Sequence, residues 1–282
     1  MNKKILITGA RGFTGQALSK SLSKNYSVTA CGREELDLLD TKRVAEVLQE
    51  EKYDIVIHTA TYDAAPEFST KDPDKVLEYN LRMFDNLASC NNDYKAMLYF
   101  GSGAEKKKEK PYGLSKYIMD QLIQNKDNIY NLRLYSVYGI GTDWRYRFIN
   151  NACAKVALGM PIKVPRISKC DYLHINDLCQ AVELYIENYK YLPKSSDMCS
   201  GDVLTPDEII QHFKKIAFVE DVIPHNTVTP TVSRSQSSKQ EYYGDPGLLK
   251  LMPFNSTPIS TGIKELIEYY KKEQPDPKQF VY

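Results

Sequence analysis

Short runs of continuous apolar residues alternate with amphipathic stretches through the first half of the chain. KILITG, YSVTACG, YDIVIHTA, AMLYFGS and NIYNLRLYSVYG have the length and β-branched or aromatic content of strands. Between them GQALSKSLSK, TKRVAEVLQEE, PDKVLEYNLRMFDNLASCN and YGLSKYIMDQLIQN repeat their apolar residues at helical spacing. Strands that are apolar throughout, rather than alternating, are covered on both faces. Strand and helix in strict alternation then predict an α/β protein with a Rossmann-like doubly wound parallel sheet.

After about residue 144 that rhythm breaks. A helix is predicted over YRFINNACAKVALG, extended pieces with prolines over MPIKVPRIS, and another helix over INDLCQAVELYIEN. In SGDVLTPDEIIQHFKKIA, Thr205 and Glu208 form a capping box around Pro206, the favoured first helical position. A polar, turn-rich stretch, HNTVTPTVSRSQSSKQEYYGDPG, precedes a last helix over STGIKELIEYYKKEQ. The expected organisation is a first domain over residues 1–160, with segments near 170–190 returning to it, and a smaller C-terminal lobe over residues 161–282.

Composition narrows the class. A chain of 282 residues, 42% hydrophobic, has enough material for a substantial core. Its net charge of +1, with both signs interspersed, gives no basic face for nucleic acid and no patch for a membrane surface. Six cysteines without a C-x-x-C pair fit reduced thiols, and four histidines show no metal-ligand spacing, so no metal is expected. The apolar run in MNKKILITGA is too short for a signal peptide or a membrane span, and the expected compartment is the cytoplasm.

Two stretches carry chemistry. LITGARGFTG spaces Gly9, Gly12 and Gly15 three apart, immediately after the first strand and into the first helix. Glycines there let the backbone turn and come close to a pyrophosphate, which meets the amides and positive end of the helix; Arg11, Phe13 and Thr14 belong to the same loop. The second strand ends in TACGR, placing Arg33 where an NAD site usually has a carboxylate. Arg33 and Arg11 together suit a 2′-phosphate, so NADP(H) is preferred over NAD(H), although Glu34 and Glu35 follow at once and offer an NAD ribose its carboxylate.

The second stretch, YGLSK, sets Tyr112 and Lys116 on one helix face. A phenol is a poor proton donor at neutral pH until a nearby cation stabilises its anion, which Lys116 supplies. Hydride exchange between a nicotinamide and a carbonyl needs that proton, and Ser102, ending the strand MLYFGS, is placed to hydrogen-bond the same oxygen.

With these residues in view, the chain resembles the extended short-chain dehydrogenases/reductases, the NAD(P)-dependent epimerases and ketoreductases of nucleotide-activated sugars. TGARGFTG, LDLLD, HTAT, YFGSGAE, YGLSK, LRLYSVYGIG and CDYLHINDL occur in the order such proteins show. The resemblance makes Tyr112, Lys116 and Ser102 the catalytic set. It gives Asp37 and Leu38 to the adenine, Ala60 and Thr61 to the cofactor lining, and Asn80 to the helix behind it. Tyr135 and Ser136 are assigned to the substrate. From the residues themselves, Arg145 suits the diphosphate of a nucleotide sugar or else belongs to a packed linking loop, and Asn150 meets the same substrate or simply starts a helix. The resemblance also implies a homodimer through the helices that start near Lys75 and Tyr112, the alternative being that their apolar stripes are ordinary core.

The sequence departs from that pattern in places. Only ten positions separate Ser102 from Tyr112, where relatives insert a longer roof over the substrate; Cys170 replaces an arginine, with Lys169 or Arg166 as substitutes, and Ser136 replaces an asparagine. Gly103 and Ala104 stand where sugar-nucleotide dehydratases carry an acid pair, and no cysteine lies near GSGAE for double epimerisation. The expected activity is therefore NADPH-dependent reduction of a keto group, at C4, on a nucleotide-activated deoxy sugar or heptose for polysaccharide biosynthesis. The alternatives are an NAD-dependent 4-epimerase and, from another class, a non-catalytic NADP-binding sensor or scaffold.

Overall fold

The computed structural model describes residues 2–64, 69–162, 169–217, 241–251, 253 and 256–281. Arg166, His225 and most of the polar stretch before the last helix lie outside the described residues. By its contacts the chain forms two compact units, residues 1–134 with 179–198, and residues 135–178 with 199–282, whereas the sequence pattern draws its line at residue 160.

The first unit runs β1 (Lys4–Thr8), α1 (Phe13–Leu22), β2 (Ser27–Cys31), α2 (Thr41–Glu51), β3 (Ile55–His58), α3 (Val76–Ala88), β4 (Ala96–Ser102), α4 (Pro111–Ile123) and β5 (Ile129–Leu134). The second unit begins with β6 (Ser136–Tyr138), α5 (Phe148–Ala157) and β7 (Lys169–His174). Then α6 (Ile175–Asn188) starts in the second unit and belongs to the first from Cys179 onward, followed by β8 (Ser195–Met198). The second unit resumes with β9 (Val203–Leu204), α7 (Pro206–Ala217), β10 (Glu241–Tyr242), α8 (Gly247–Leu251) and α9 (Ile259–Glu273).

In the first unit six strands form one sheet in the order β2-β1-β3-β4-β5-β8, and every pair is parallel. This is the doubly wound arrangement the alternation predicts. Continuous apolar sequence explains it, since Ile5, Leu6, Ile7, Val56, Ile57, Met97 and Leu98 have no exposed surface and must be covered on both sides. The direction of winding changes after β2, and β3 lies on the other side of β1. Ligands of such sheets bind at the carboxyl ends of the strands beside that reversal.

The second unit has its own core of Tyr138, Ile149, Ala152, Cys153, Ile209, Phe213, Ile263, Leu266 and Tyr270. Its sheet runs β10-β7-β6, with β9 antiparallel to β7. Gly262 lets α9 lie on Tyr138, because a Cβ there would stand 2.4 Å from the tyrosine hydroxyl. The capping box of α7 forms, with Glu208 N donating to Thr205 Oγ1 at 3.2 Å and Thr205 N to Glu208 Oε2 at 2.7 Å. All six cysteines are unpaired thiols, five of them buried. Among the described residues, no helix is long and apolar enough to cross a membrane, and no His, Cys, Asp and Glu cluster suits a metal.

Candidate active site

Each glycine of the first loop has a distinct physical role. Gly9, directly after β1, has φ +72°, and a Cβ there would lie 2.5 Å from the Ala60 amide nitrogen. A Cβ on Gly15 would lie 2.3 Å from the Gly9 carbonyl oxygen, so this glycine seats α1 against the loop. Gly12 differs: its Cβ would meet only the Gly9 oxygen, at 3.3 Å. Packing within the protein therefore demands Gly9 and Gly15, while Gly12 leaves backbone bare toward the space in front of the loop. Gly12 is also the N-cap of α1, has no side chain to cap it, and is followed by a first turn without acidic residues. The free amides at Phe13 and Thr14 and the positive helix end fit a pyrophosphate.

Beyond β2, Arg11 folds over Gly32 and its Nη2 sits 2.8 Å from Glu34 Oε2 and 2.8 Å from Glu35 Oε1. Glu35 is also tied down by the Gly32 amide, at 2.8 Å. These pairings hold both carboxyls below their usual range. Arg33 is largely exposed and its Nε lies 3.4 Å from Asp37 Oδ2. Asp37 accepts a turn hydrogen bond from the Leu39 amide at 3.0 Å, and Leu38 is a core residue whose carbonyl accepts from Asn86 Nδ2 at 2.8 Å. The structure thus brings both expected phosphate-binding arginines to the end of β2, each already beside a carboxylate.

The segment after β3 carries Ala60 and Thr61. Asn80, buried on α3, clamps it: Nδ2 donates to the carbonyls of Tyr62 and Val76, both at 2.8 Å, and Oδ1 accepts from Tyr62 N at 2.8 Å and from Thr61 Oγ1 at 3.2 Å. Asn80 thus braces the segment that carries Ala60 and Thr61.

Ser102 ends β4 and accepts from the Ala104 amide at 3.1 Å, which opens a single 3-10 turn at Gly103–Lys106. That turn packs on the start of α4 through Gly113, where a Cβ would meet the carbonyl oxygens of Lys107 at 2.2 Å and Ala104 at 2.5 Å. The glycine after Tyr112 is what lets so short a connection from Ser102 close. Tyr112, half-buried, and Lys116, 2% exposed, lie one helical turn apart, with the Lys116 Nζ 5.5 Å from the Tyr112 ring centre and 4.7 Å from that of Tyr99. Lys116 Nζ donates to the Phe100 carbonyl at 2.8 Å. Burial pulls its ammonium down to about 7, and the carboxylates of Asp63 and Glu105 act in the other direction. His58, ending β3, is pushed down to about 3 by burial and by Lys116, and its Nδ1 is 2.8 Å from Thr8 Oγ1, so it is a neutral, satisfied core residue.

Sequence reasoning missed a polar cluster next to this pair. Arg133 on β5 lies 2.9 Å from Asp197 on β8, 3.5 Å from Asp120 on α4 and 2.5 Å from Glu105 in the 3-10 turn. Asp120 also accepts from Asn131 Nδ2 and Ser195 Oγ, both at 2.6 Å. The only signal in the sequence was the presence of charged residues inside otherwise apolar elements.

The residues assigned to the substrate lie in the second unit. Tyr135 packs against Tyr242 with ring centres 5.2 Å apart, and Ser136 Oγ is 3.0 Å from Cys170 Sγ. Arg145 is turned back on Asp143, Nε to Oδ1 at 2.8 Å. Asn150 has no exposed surface; its Nδ2 donates to the Gly139 carbonyl at 2.8 Å and the Tyr270 hydroxyl at 2.9 Å. Its amide is used up in holding the turn at Gly139. Within CDYLHINDL the acids are internal braces: Asp171 accepts from the Ser200 and Gly201 amides at 2.8 and 2.6 Å, and Asp177 from Thr257 N and Oγ1 at 2.7 Å each.

Residues 5–201 match the sequence profile of the NAD dependent epimerase/dehydratase family. The GDP-L-colitose synthase of Yersinia pseudotuberculosis is 33% identical over 116 residues, 40% of this chain and 38% of that protein, so the matched stretch spans well under half of that relative. Among solved structures, GDP-mannoheptose C4 reductase from Campylobacter jejuni with NADP bound gives a TM-score of 0.74 at 18% identity, over 96% of this chain and 98% of that one. The UDP-glucose 4-epimerase of Thermus thermophilus, in complex with NAD, gives 0.73 at 19% identity, over 95% and 99%. At these identities the two structures establish the fold.

Proposed function

Because the chain belongs to the NAD-dependent epimerase/dehydratase family, a family of nicotinamide-dinucleotide enzymes, we propose that it reduces a keto group, at C4, on a nucleotide-activated deoxy sugar or heptose. The observation that carries this reading is the Tyr112–Lys116 pair on one face of α4, beside the end of the strand that holds Ser102.

The residues present fit the cofactor. Bare backbone at Gly12 and the uncapped start of α1 would hold the pyrophosphate, Ala60 and Thr61 would line the ring side, and Lys116 would reach the ribose. When bound, NAD(P)H supplies the hydride. As the carbonyl carbon gains it, negative charge grows on the oxygen; the Tyr112 phenol gives its proton to that oxygen, and the product is the alcohol. Ser102 donates a hydrogen bond to the same oxygen, and the Lys116 ammonium lowers the energy of the tyrosinate left behind.

NADPH is the proposed donor. Arg11 and Arg33 are exposed, and exposed ion pairs are weak, so a 2′-phosphate displaces Glu34, Glu35 and Asp37 from them at small cost and gains bidentate contacts. The double engagement of Arg11 by Glu34 and Glu35 favours a second reading, in which those carboxylates serve an NAD ribose and the chain is a 4-epimerase.

The test is incubation with NADPH or NADH and a panel of GDP-, CDP-, UDP- and dTDP-linked 4-keto sugars, following loss of the reduced-nicotinamide absorbance and the sugar product. Consumption of NADPH with formation of the 4-hydroxy sugar supports the reductase. Interconversion of 4-hydroxy epimers with no net use of reductant replaces it with the epimerase. Tight NADPH binding with no turnover on any of the panel replaces both with a sensor.

A further inference from the structure

A buried ammonium needs partners for its charge, and Lys116 has few. Its Nζ carries three N–H donors, yet among the described residues it makes one hydrogen bond, to the Phe100 carbonyl at 2.8 Å. Two rings stand beside it: Tyr99 on β4, whose centre is 4.7 Å from Nζ, and Tyr112, at 5.5 Å. Tyr99 is the one fixed by the core. It is 1% exposed and belongs to the cluster of Met97, Met119 and Ile123 that fills the space between β4 and α4. Phe84 meets it at 72° with ring centres 5.2 Å apart, and the His58 ring lies at 5.7 Å. The Tyr99 hydroxyl is buried with no hydrogen-bond partner, and burial keeps the phenol neutral, so what this residue offers Lys116 is the face of its ring.

We propose that Tyr99 is a positioning residue for Lys116: its immobile ring holds the lysine ammonium by a cation–π contact and keeps it charged beside Tyr112. This rests on the reductase or epimerase reading of the Tyr112–Lys116 pair and adds to it the means by which a cation persists in an apolar core. The negative face of an aromatic ring attracts an ammonium, and does so more strongly where water is excluded. A ring also suits this place better than a carboxylate. It stabilises the cation without putting a second negative charge next to the phenol that has to become an anion. The titratable groups around Lys116 are Tyr99, His58 on β3, Asp63 in the segment after β3, Glu105 in the 3-10 turn and Tyr112 on its own helix. Of these, His58 is neutral, while Asp63 and Glu105 oppose the burial that brings Lys116 down to about 7.

The experiment separates ring, hydroxyl and packing. Tyr99→Phe keeps the ring and removes an oxygen without a partner, so the alkaline limb of kcat/KM, where Lys116 gives up its proton, should stay where it is in the parent. Tyr99→Leu removes the ring face, and the limb should move to lower pH by about half a unit or more. Phe84→Leu opens a cavity against the same ring without removing it and should leave the limb in place. An unmoved limb in Tyr99→Leu, or an equal shift in Tyr99→Phe or Phe84→Leu, overturns the proposal.

Two readouts need no substrate, so a chain that turned over none of the sugars would lose the reductase reading and still decide this proposal. The first is the titration of the Lys116 ammonium, followed by 15N NMR in the whole protein. Tyr99→Phe carrying one, two or three ring fluorines keeps the shape of the side chain while depleting the negative face, and Lys116 should titrate lower with each fluorine added. A titration indifferent to fluorination overturns the proposal, whether or not Tyr99→Leu folds. The second is linkage, whose sign is definite. A lysine held at about 7 in the fold against 10.5 outside it contributes stability that is present above 10.5 and lost as pH falls through 7. Losing the ring deepens that loss, so the gap in melting temperature between Tyr99→Leu and Tyr99→Phe should widen as pH falls from about 9 to about 6. A gap that is the same at every pH overturns the proposal.

Discussion

A phenol with an ordinary pKa of about 10 is almost entirely protonated at neutral pH, and its anion is costly to form unless a cation stands close. Lys116 provides the cation, yet its own burial works against its charge, so the pair is balanced rather than strongly biased. Tyr112→Phe removes only the hydroxyl. Turnover should fall by about 10²- to 10⁴-fold while the cofactor dissociation constant stays within about twofold. Steady-state kinetics beside a fluorescence titration with NADPH check both, and a retained rate removes Tyr112 from the mechanism. The arginines yield a separate expectation. Arg11→Ala with Arg33→Ala should raise KM for NADPH by about tenfold or more and change KM for NADH little, since each phosphate contact is a charge-assisted hydrogen bond. An equal change for the two cofactors removes the 2′-phosphate assignment. These residues were legible because their partners are close in sequence: the glycines share one turn, and Tyr112 and Lys116 share one helix face. Arg133 and Asp197 are 64 positions apart, meeting only because β5 and β8 are neighbours, and no local pattern announces that. Asn150 misleads for the opposite reason, because an asparagine read one at a time looks available, while here Gly139 and Tyr270 consume its amide.

At the scale of elements, packing demands decide which glycines are replaceable. Gly113 lies inside α4, where alanine has the higher intrinsic helix propensity by about 1 kcal/mol. Its Cβ, however, would press on two backbone carbonyl oxygens of the preceding turn at 2.2 and 2.5 Å, and neither is the end of a flexible side chain. Overpacking of that kind costs about 1–3 kcal/mol, so Gly113→Ala should be net destabilising and should also displace Tyr112 from Ser102, lowering kcat more than cofactor affinity. Urea denaturation and kinetics of the same variant read the two effects; a stabilised variant with full activity would show that the turn does not bear on α4. The apolar runs told strand from helix and gave the parallel sheet, since both periodicities are local properties. The return of β8 to the sheet beside β5 was not legible, because SSDM carries little apolar signal and its place is set by the register Asn131–Ser195 through Leu134–Met198. The short connection from Ser102 to Tyr112 was visible as a length, but its means of closure, a 3-10 turn seated on a glycine, needed coordinates.

At the scale of the whole molecule, the remaining expectation concerns a second copy of the chain. In α4, Leu114, Ile118 and Leu122 recur every fourth position, which places them on one face. Unlike Met119 and Ile123, which have at most 1% exposure, none of the three is buried, and Leu122 is 45% exposed. α3 packs beside α4 and carries the half-buried Leu77 and Leu81. Two adjacent helices whose apolar positions are only partly covered form a surface whose burial against its own copy gains free energy at about 25 cal/mol per Å², and a twofold axis needs only that one patch meet itself. With a net charge of only +1, long-range repulsion between copies is weak. Light scattering coupled to size exclusion should therefore give twice the 32.3 kDa of one chain. Leu122→Glu puts a charge at the most exposed position of the face, where burial unpaired is costly, and should shift the species toward one chain while leaving the far-ultraviolet circular dichroism unchanged. A single-chain mass for the parent at micromolar concentration, or a dimer indifferent to Leu122→Glu, would mean that these leucines merely shield the α3–α4 seam and that the association face lies elsewhere.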